Sequence, residues 1–355
     1  MGLARVERKP RAMKLWITGA TGFVGGYAVE AALARGDQVQ GWAGRGRWPE
    51  DLGHLDGQVP LEPLDLTAPE TTNDLIRRLQ QDRPEAILHL AAQSNPRASF
   101  DDPPATWRIN LGGTLALLEA MRKAAPLSWQ AGSSSHLHWP RLVVISSGMC
   151  YGRPEPPDRP PFGPNDPLAP RDPYSASKAA ADLAALQYHH AHGFDVVIAR
   201  PFQQTGPRQS ERYVLSGMAR QVAEVEAGMR SEVSVGNLEV ERDFTDVRDM
   251  VRAYLRLTRH AVLGRIVVLG RGRGIKLADA LDHLRGLADR PIPVRIDPAR
   301  LRNDDPPRIL GDPQALHEAL GDQPLIPIET TLADLLNWWR GRIRGSQSRP
   351  SDIAS

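Results

Sequence analysis

The stretch that most limits what this chain can fold into is Lys14-Leu-Trp-Ile-Thr-Gly-Ala-Thr-Gly-Phe-Val-Gly-Gly26. A short apolar run ends at Thr18, glycines follow at 19, 22 and 25, and an alanine-rich segment continues through Leu33. That order spells a strand, a tight turn and a helix. Glycine lets the turn adopt φ > 0 and come close to a ligand. The free N–H groups and dipole of the helix start then favour a pyrophosphate. The spacing is G-x-x-G-x-x-G, a variant of the dinucleotide fingerprint G-x-G-x-x-G. A glycine trio can also close a βα turn that holds nothing. Its position after the first strand and before a helix favours the ligand reading. Gly19, Thr21, Gly22, Phe23, Val24 and Gly25 then cradle a nicotinamide dinucleotide.

Downstream the same rhythm repeats. Short apolar runs at 38–42, 59–64, 85–90, 141–146 and 194–199 alternate with helical segments at 71–80, 103–125 and 174–192. This alternation predicts a doubly wound parallel sheet. After Ala199 it loosens into helices at 212–228 and 246–257, short strands at 233–237 and 241–245, and a seventh sheet strand at 265–269. Helices near 276–289, 313–320 and 329–342 follow. We expect a dinucleotide-binding domain over 13–200, rejoined by 245–270, and a smaller substrate domain from 201–244 and 271–342. The tails 1–12 and 343–355 read as disordered, and Met13 is an alternative start to a basic arm. The Ser-rich stretch 127–139 reads as a surface loop.

Bulk properties narrow the function classes. Lys and Arg total 44 against 42 Asp and Glu, so charge does not point to nucleic acid. The one cysteine, Cys150, excludes an intrachain disulfide and fits a reducing cytoplasm. No apolar run reaches the ~18 residues of a membrane span, and residues 1–12 lack the apolar core of a secretory signal. His136 and His138 have no third partner, and His189, His190 and His192 suit a helix C-terminus, so no metal site is expected.

The candidate chemistry lies at the C-terminal ends of the strands, where open α/β sheets bind ligands. After the second strand the chain carries no carboxylate for a ribose 2′-hydroxyl but offers Arg45 and Arg47. Arg45 suits a 2′-phosphate, or is a solvated loop arginine; the first reading favours NADP(H), with NAD(H) as the alternative. Asp65, with Leu66, can accept from an adenine amino group. The small residues after Leu90, Ala91 and Ala92, let backbone lie against the cofactor, and Gln93 and Ser94 face the substrate. Strand five delivers Ser147. Tyr174 and Lys178, four apart, share one helix face. A lone Y-x-x-x-K is usually a solvated pair, but here it follows a glycine-turn fold and Ser147.

With these residues in hand, the chain resembles the extended short-chain dehydrogenase/reductases from Lys14 to about Arg342. Within them, Val235-Gly-Asn-Leu-Glu-Val-Glu-Arg-Asp-Phe-Thr-Asp-Val-Arg-Asp249 and Asp297-Pro-Ala-Arg-Leu-Arg302 resemble the GDP-4-dehydro-6-deoxy-D-mannose reductases. The resemblance implies an α/β, doubly wound parallel Rossmann sheet with a smaller C-terminal α+β substrate-binding domain. It implies reduction of a nucleotide-linked keto sugar at C4, with a GDP-sugar as substrate and a homodimer built on the helices 103–125 and 174–192. Ser147 would orient the carbonyl oxygen, Tyr174 would donate the proton, and Lys178 would hold the nicotinamide ribose and favour tyrosinate. Gln203 would contact the sugar, and Arg242 and Arg302 the diphosphate. The chain departs from the pattern at Gln203 (for Asn), Arg208 (for Gly) and Asn303 (for Pro). The family's 4-epimerases and 4,6-dehydratases remain alternatives, as does a cofactor-binding regulator. Similar dehydratases carry a glutamate where this chain has Met149.

Overall fold

The computed structural model describes residues 11–124, 140–260, 264–301, 305–321 and 323–347. The expectations for residues 1–10, the 127–139 loop with His136 and His138, Arg302, Asn303 and residues 348–355 fall outside these. Seven parallel strands form the central sheet: β1 (Lys14–Thr18), β2 (Gln38–Ala43), β3 (Leu61–Pro63), β4 (Ala86–His89), β5 (Arg141–Ile145), β6 (Val196–Pro201) and β7 (Arg265–Leu269). Their spatial order is β7-β6-β5-β4-β1-β2-β3. The order reverses between β1 and β4, which opens a crevice above their C-terminal ends.

The strands alternate strictly between two apolar layers. Leu15, Ile17, Ala86, Leu88, Val143, Ile145, Val197 and Ala199 pack on one face with the helices Phe23–Ala34 and Val247–His260. Trp16, Ile87, Leu142, Val144, Val196 and Ile198 pack on the other with Thr71–Asp82, Gly113–Ala124 and Pro173–His192. Side chains of a strand point to opposite faces in turn, so strands covered by helices on both sides read as unbroken apolar runs. A separate apolar cluster joins the helices Val214–Glu226, Leu277–Gly286 and Ile328–Gln347.

Several expected elements differ. The single helix expected over 103–125 is three pieces: Pro103–Trp107, a wide π-type turn at Arg108–Gly112, and Gly113–Ala124. Strand six, expected at 194–199, runs from Val196 to Pro201, so Arg200 lies buried inside the sheet. The disorder expected from residue 343 does not begin there, because the last helix continues to Gln347. Ile343, one turn beyond Trp339, is buried with it against the second apolar cluster, and that burial carries the helix on.

Candidate active site

The glycine turn forms as its spacing requires. Gly19 has φ +71°, and a Cβ there would lie 2.8 Å from the Ala91 nitrogen; one at Gly25 would lie 2.0 Å from the Gly19 oxygen. Gly22 starts the first helix with no side-chain cap and no acid in the first turn. The first-turn N–H groups of Phe23, Val24 and Gly25 have no intrahelical acceptor, and this bare positive end fits a dinucleotide pyrophosphate. Thr21 borders the turn. Thr18, the last residue of β1, accepts from the Ala91 N–H at 3.2 Å, which ties the turn to the Leu90-Ala91-Ala92 segment.

A buried one-directional hydrogen-bond chain runs from the end of β1 through β4 to the helix Gly113–Ala124. Thr18 Oγ1 lies 2.8 Å from His89 Nδ1, His89 Nε2 lies 3.2 Å from Thr114 Oγ1, and Thr114 donates to the Asn110 carbonyl at 2.7 Å. Since Thr114 spends its proton on Asn110, His89 donates through Nε2 and accepts through Nδ1. Burial holds its pKa down at about 3, with the Lys178 charge adding to the shift. The imidazole is therefore neutral.

Farther along the same rim, Gly46 (φ +57°) turns the chain after β2, and Arg45 and Arg47 are exposed. Asp65 Oδ1 accepts the Thr67 N–H at 2.9 Å and its hydroxyl at 2.7 Å. The Thr67 side-chain and backbone hydrogen bonds lower the Asp65 pKa and keep it an anion. Leu66 is buried, packed where a Cβ on Gly113 would lie 3.0 Å away.

The C-terminal end of β5 gathers the three expected catalytic groups. Ser147 Oγ caps the turn Gly148–Tyr151 by accepting the Met149 N–H at 3.2 Å, and it also hydrogen-bonds Tyr174. Tyr174 and Lys178 project from the helix Pro173–His192, whose start is fixed by Asp172 accepting the Ser175 N–H at 2.8 Å. Both side chains are buried. Lys178 Nζ donates to the Ile145 carbonyl at 2.7 Å, and burial brings its pKa down to about 8, against the opposing charge of Asp182. The tyrosinate expected beside Lys178 is not favoured. Burial pushes the Tyr174 pKa above its ordinary value, and the Ser147 hydrogen bond offsets only part of the rise. In a dry site the cost of an anion exceeds the help of one hydroxyl.

Other site residues were not singled out from the sequence. Asn110, in the wide turn Arg108–Gly112, accepts the Gln93 N–H at 2.8 Å. Its amide also donates to the Gln93 carbonyl at 3.1 Å and to Ser177 Oγ at 2.9 Å. It thus locks the Gln93-Ser94 segment to the Tyr174 helix. A polar residue inside an otherwise apolar helix is the signal that could have found it. One turn beyond Lys178, the buried Asp182 accepts from Ser146 at 2.8 Å and from Arg200 at 2.9 Å, and Arg200 donates to Tyr151 Oη at 3.0 Å. Cys150 is buried beside this network and its pKa is pushed up to about 12 by burial, so it stays a thiol. Met149, half-buried, lies in the same turn, two residues before Tyr151.

Ser94 Oγ lies 3.0 Å from Tyr213 Oη, tying the segment after β4 to the residue that precedes the helix Val214–Glu226. The Gln93 and Gln203 amide oxygens are buried with no hydrogen-bond partner. Arg242, expected to face a diphosphate, is buried and engaged with its own chain, donating to Asp305 Oδ1 at 2.5 Å and to the Pro306 carbonyl at 2.8 Å. Among the described residues there is no cluster of three or more metal-ligating side chains, and no helix is long and apolar enough to cross a membrane.

Residues 16–335 match the protein family described as GDP-mannose 4,6 dehydratase. The chain is 34% identical to the GDP-6-deoxy-D-mannose reductase of Pseudomonas aeruginosa, covering 93% of this chain and 98% of the relative. It is 27% identical to the GDP-mannose 4,6-dehydratase of Yersinia enterocolitica, over 91% and 92%. Its fold superposes with a TM-score of 0.76 on the structure of RMD from Pseudomonas aeruginosa complexed with NADPH, at 31% identity over 93% of this chain and all of that one. With the glycine turn, the seven-stranded sheet and these matches together, the chain belongs to the GDP-mannose 4,6-dehydratase family of nucleotide-sugar enzymes.

Proposed function

We propose that this protein is an NAD(P)H-dependent oxidoreductase that reduces the C4 keto group of GDP-4-dehydro-6-deoxy-D-mannose to give GDP-D-rhamnose. The observation that carries the reading is Met149. A 4,6-dehydratase must remove the C5 proton and expel the C6 hydroxyl as water, which takes an acid and a base beside those carbons. Where similar dehydratases have a glutamate, this chain has a thioether, with Gly148 and an un-ionised Cys150 as its neighbours. Reduction needs neither group. The reductase relative and the NADPH-bound neighbour support the same side of the choice.

The glycine turn, Ala91, Ala92 and Asp65 would hold the dinucleotide, with Arg45 on the 2′-phosphate; an exposed guanidinium after a β2 end that carries no acid favours NADPH over NADH. When bound, the reduced nicotinamide supplies a hydride to the C4 carbon of the sugar. The carbonyl electron pair then moves to oxygen, where Ser147 donates a hydrogen bond and Tyr174 delivers its proton. The raised pKa of Tyr174 suits this direction, since the phenol enters each turnover protonated and an alkoxide is basic enough to take the proton. Below about pH 8 Lys178 is an ammonium that offsets the tyrosinate left behind. The partnerless amide oxygens of Gln93 and Gln203 are acceptors that sugar hydroxyls would satisfy. Arg242 would reach a diphosphate by exchanging Asp305 for it, Arg302 is the second arginine the family likeness assigns to that group, and residues 201–244 and 271–342 would form the sugar-nucleotide side.

The enzyme acts as a cytoplasmic homodimer in this reading. Phe100, Trp107 and Leu183, exposed by 61%, 38% and 62%, lie on or beside the helices Pro103–Trp107 and Pro173–His192, a face a second copy would cover. Two incubations test the reaction. The keto sugar with NADPH should oxidise the cofactor and yield a 6-deoxy sugar nucleotide. GDP-mannose with NADP⁺ should release no keto product, and steady release would make the protein a dehydratase with a relocated base. Interconversion at C4 without net cofactor oxidation would make it an epimerase.

A further inference from the structure

Arg208 is one of two non-glycine residues with a left-handed backbone among the described residues, at φ +70°. A Cβ makes that region costly, so something must hold the residue there. Its side chain supplies the hold. The guanidinium donates to both carboxylate oxygens of Glu30, at 2.9 and 2.7 Å, and lies 3.7 Å over the ring of Tyr27. Tyr27 in turn donates from its hydroxyl to the Pro207 carbonyl at 3.1 Å. Tyr27 and Glu30 sit one turn apart on Phe23–Ala34, the helix whose first turn would receive the pyrophosphate. Two successive residues of the Gln203–Gln209 segment are thus bonded to the dinucleotide helix.

The far end of that segment is fixed elsewhere. Gln209 accepts from Thr205 Oγ1 at 2.8 Å and donates to the Gln204 carbonyl at 2.8 Å, closing a compact loop. Ser216 donates to the Gln209 carbonyl at 2.6 Å, and Trp339 Nε1 donates to Ser216 Oγ at 3.0 Å, which anchors the loop in the second apolar cluster. The segment begins at Gln203, passes through both anchors and leads on to Tyr213, whose hydroxyl lies 3.0 Å from Ser94 Oγ.

We infer that Arg208 is a positioning residue: its bidentate pair with Glu30 and its stacking on Tyr27 clamp the sugar-side segment Gln203–Tyr213 to the dinucleotide-binding helix. The role adds to the reaction proposed above and rests on its placement of the sugar nucleotide beside Gln203. A glycine at 208 would accept the same backbone without strain, but nothing would then tie the segment to Glu30. The guanidinium fork matches a carboxylate in a way a single ammonium does not.

Calorimetric titration of the NADPH-loaded protein with GDP-mannose reads the clamp directly. Arg208→Gly removes the fork while easing the backbone; Glu30→Gln leaves residue 208 intact and removes its partner's charge. Each should weaken GDP-mannose by about tenfold, the scale of one charge-assisted contact, while NADPH affinity stays as in the parent. The double variant should be no weaker than either single one. In turnover the KM for the keto sugar should rise by the same factor with kcat little changed, and Arg208→Lys should recover part of the loss. Unchanged GDP-mannose affinity in both single variants overturns the inference. So does equal weakening of NADPH and GDP-mannose, which would make the contact a general brace of the fold. A parent protein that shows the clamp by titration yet leaves NADPH unoxidised with the keto sugar would uphold the clamp and sink the reductase reading instead.

Discussion

Tyr174 shows how one residue acquires its role from its surroundings. As a free phenol it is a weak acid of pKa ~10, and burial beside Ser147 raises that value further. It is therefore a donor that lets go of its proton only to a strong base, and the alkoxide formed at C4 is one. Tyr174→Phe keeps the ring and removes the proton. We expect kcat to fall by roughly 10² to 10⁴, the contribution of a general acid, with NADPH binding preserved by fluorescence titration. Turnover near the parent's would show that another group donates. The neighbouring groups explain why no substitute is at hand. Cys150 stays a thiol in the turn after β5, His89 is neutral with both ring nitrogens engaged, and Lys178 commits one N–H to the Ile145 carbonyl.

At the scale of elements, the break in the helix over 103–124 matters more than its length. The wide turn at Arg108–Gly112 carries Asn110, whose side-chain amide holds Gln93 from both sides and reaches Ser177. One side chain thereby fixes the segment after β4 and the helix that carries Tyr174 and Lys178. Asn110→Ala leaves the half-buried Gln93 N–H and carbonyl without these partners, at up to about 1–3 kcal/mol each. Thermal unfolding should therefore begin at a lower temperature, and kcat should fall although Asn110 donates no proton. An unchanged melting curve would mean that water replaces the amide. The sequence alone did not single out Asn110, because the partner it serves lies 17 residues away.

For the whole molecule, the exposed apolar residues on the paired helices are the feature a lone chain leaves unexplained. Leu183 is 62% exposed on a helix whose other face is buried, and a second copy packing there would cover it together with Trp107 and Phe100. Leu183→Glu places a charge at the centre of that face, where burying it unpaired would cost far more than a dimer contact of this kind returns. Sedimentation should then show a monomer where the parent sediments as a dimer. A dimer that survives the substitution would place the interface elsewhere. Catalysis in the monomer should continue, since every expected catalytic group comes from one chain.

How much of this was written in the chain follows from the range of each interaction. The glycine turn, the seven strand segments and the Tyr174–Lys178 pair were legible because their signals are local. Glycines mark φ, apolar runs mark strands, and a spacing of four marks one helix face. The family likeness added the keto-sugar chemistry and singled out Met149. What the sequence could not state was set by contacts between distant segments. Arg200 is a sheet residue paired with Asp182 because β6 ends two residues later than its apolar run implied. Arg242 faces Asp305 because two segments more than sixty residues apart in sequence meet. Tyr174 holds its proton more tightly, not less, because burial depends on everything packed around it. Arg208 looked like a mere departure from glycine until the fold brought Glu30 and Tyr27 beneath it. Local order follows from residue type and spacing, whereas charge state and the pairing of long side chains depend on desolvation and on neighbours that only the tertiary structure supplies.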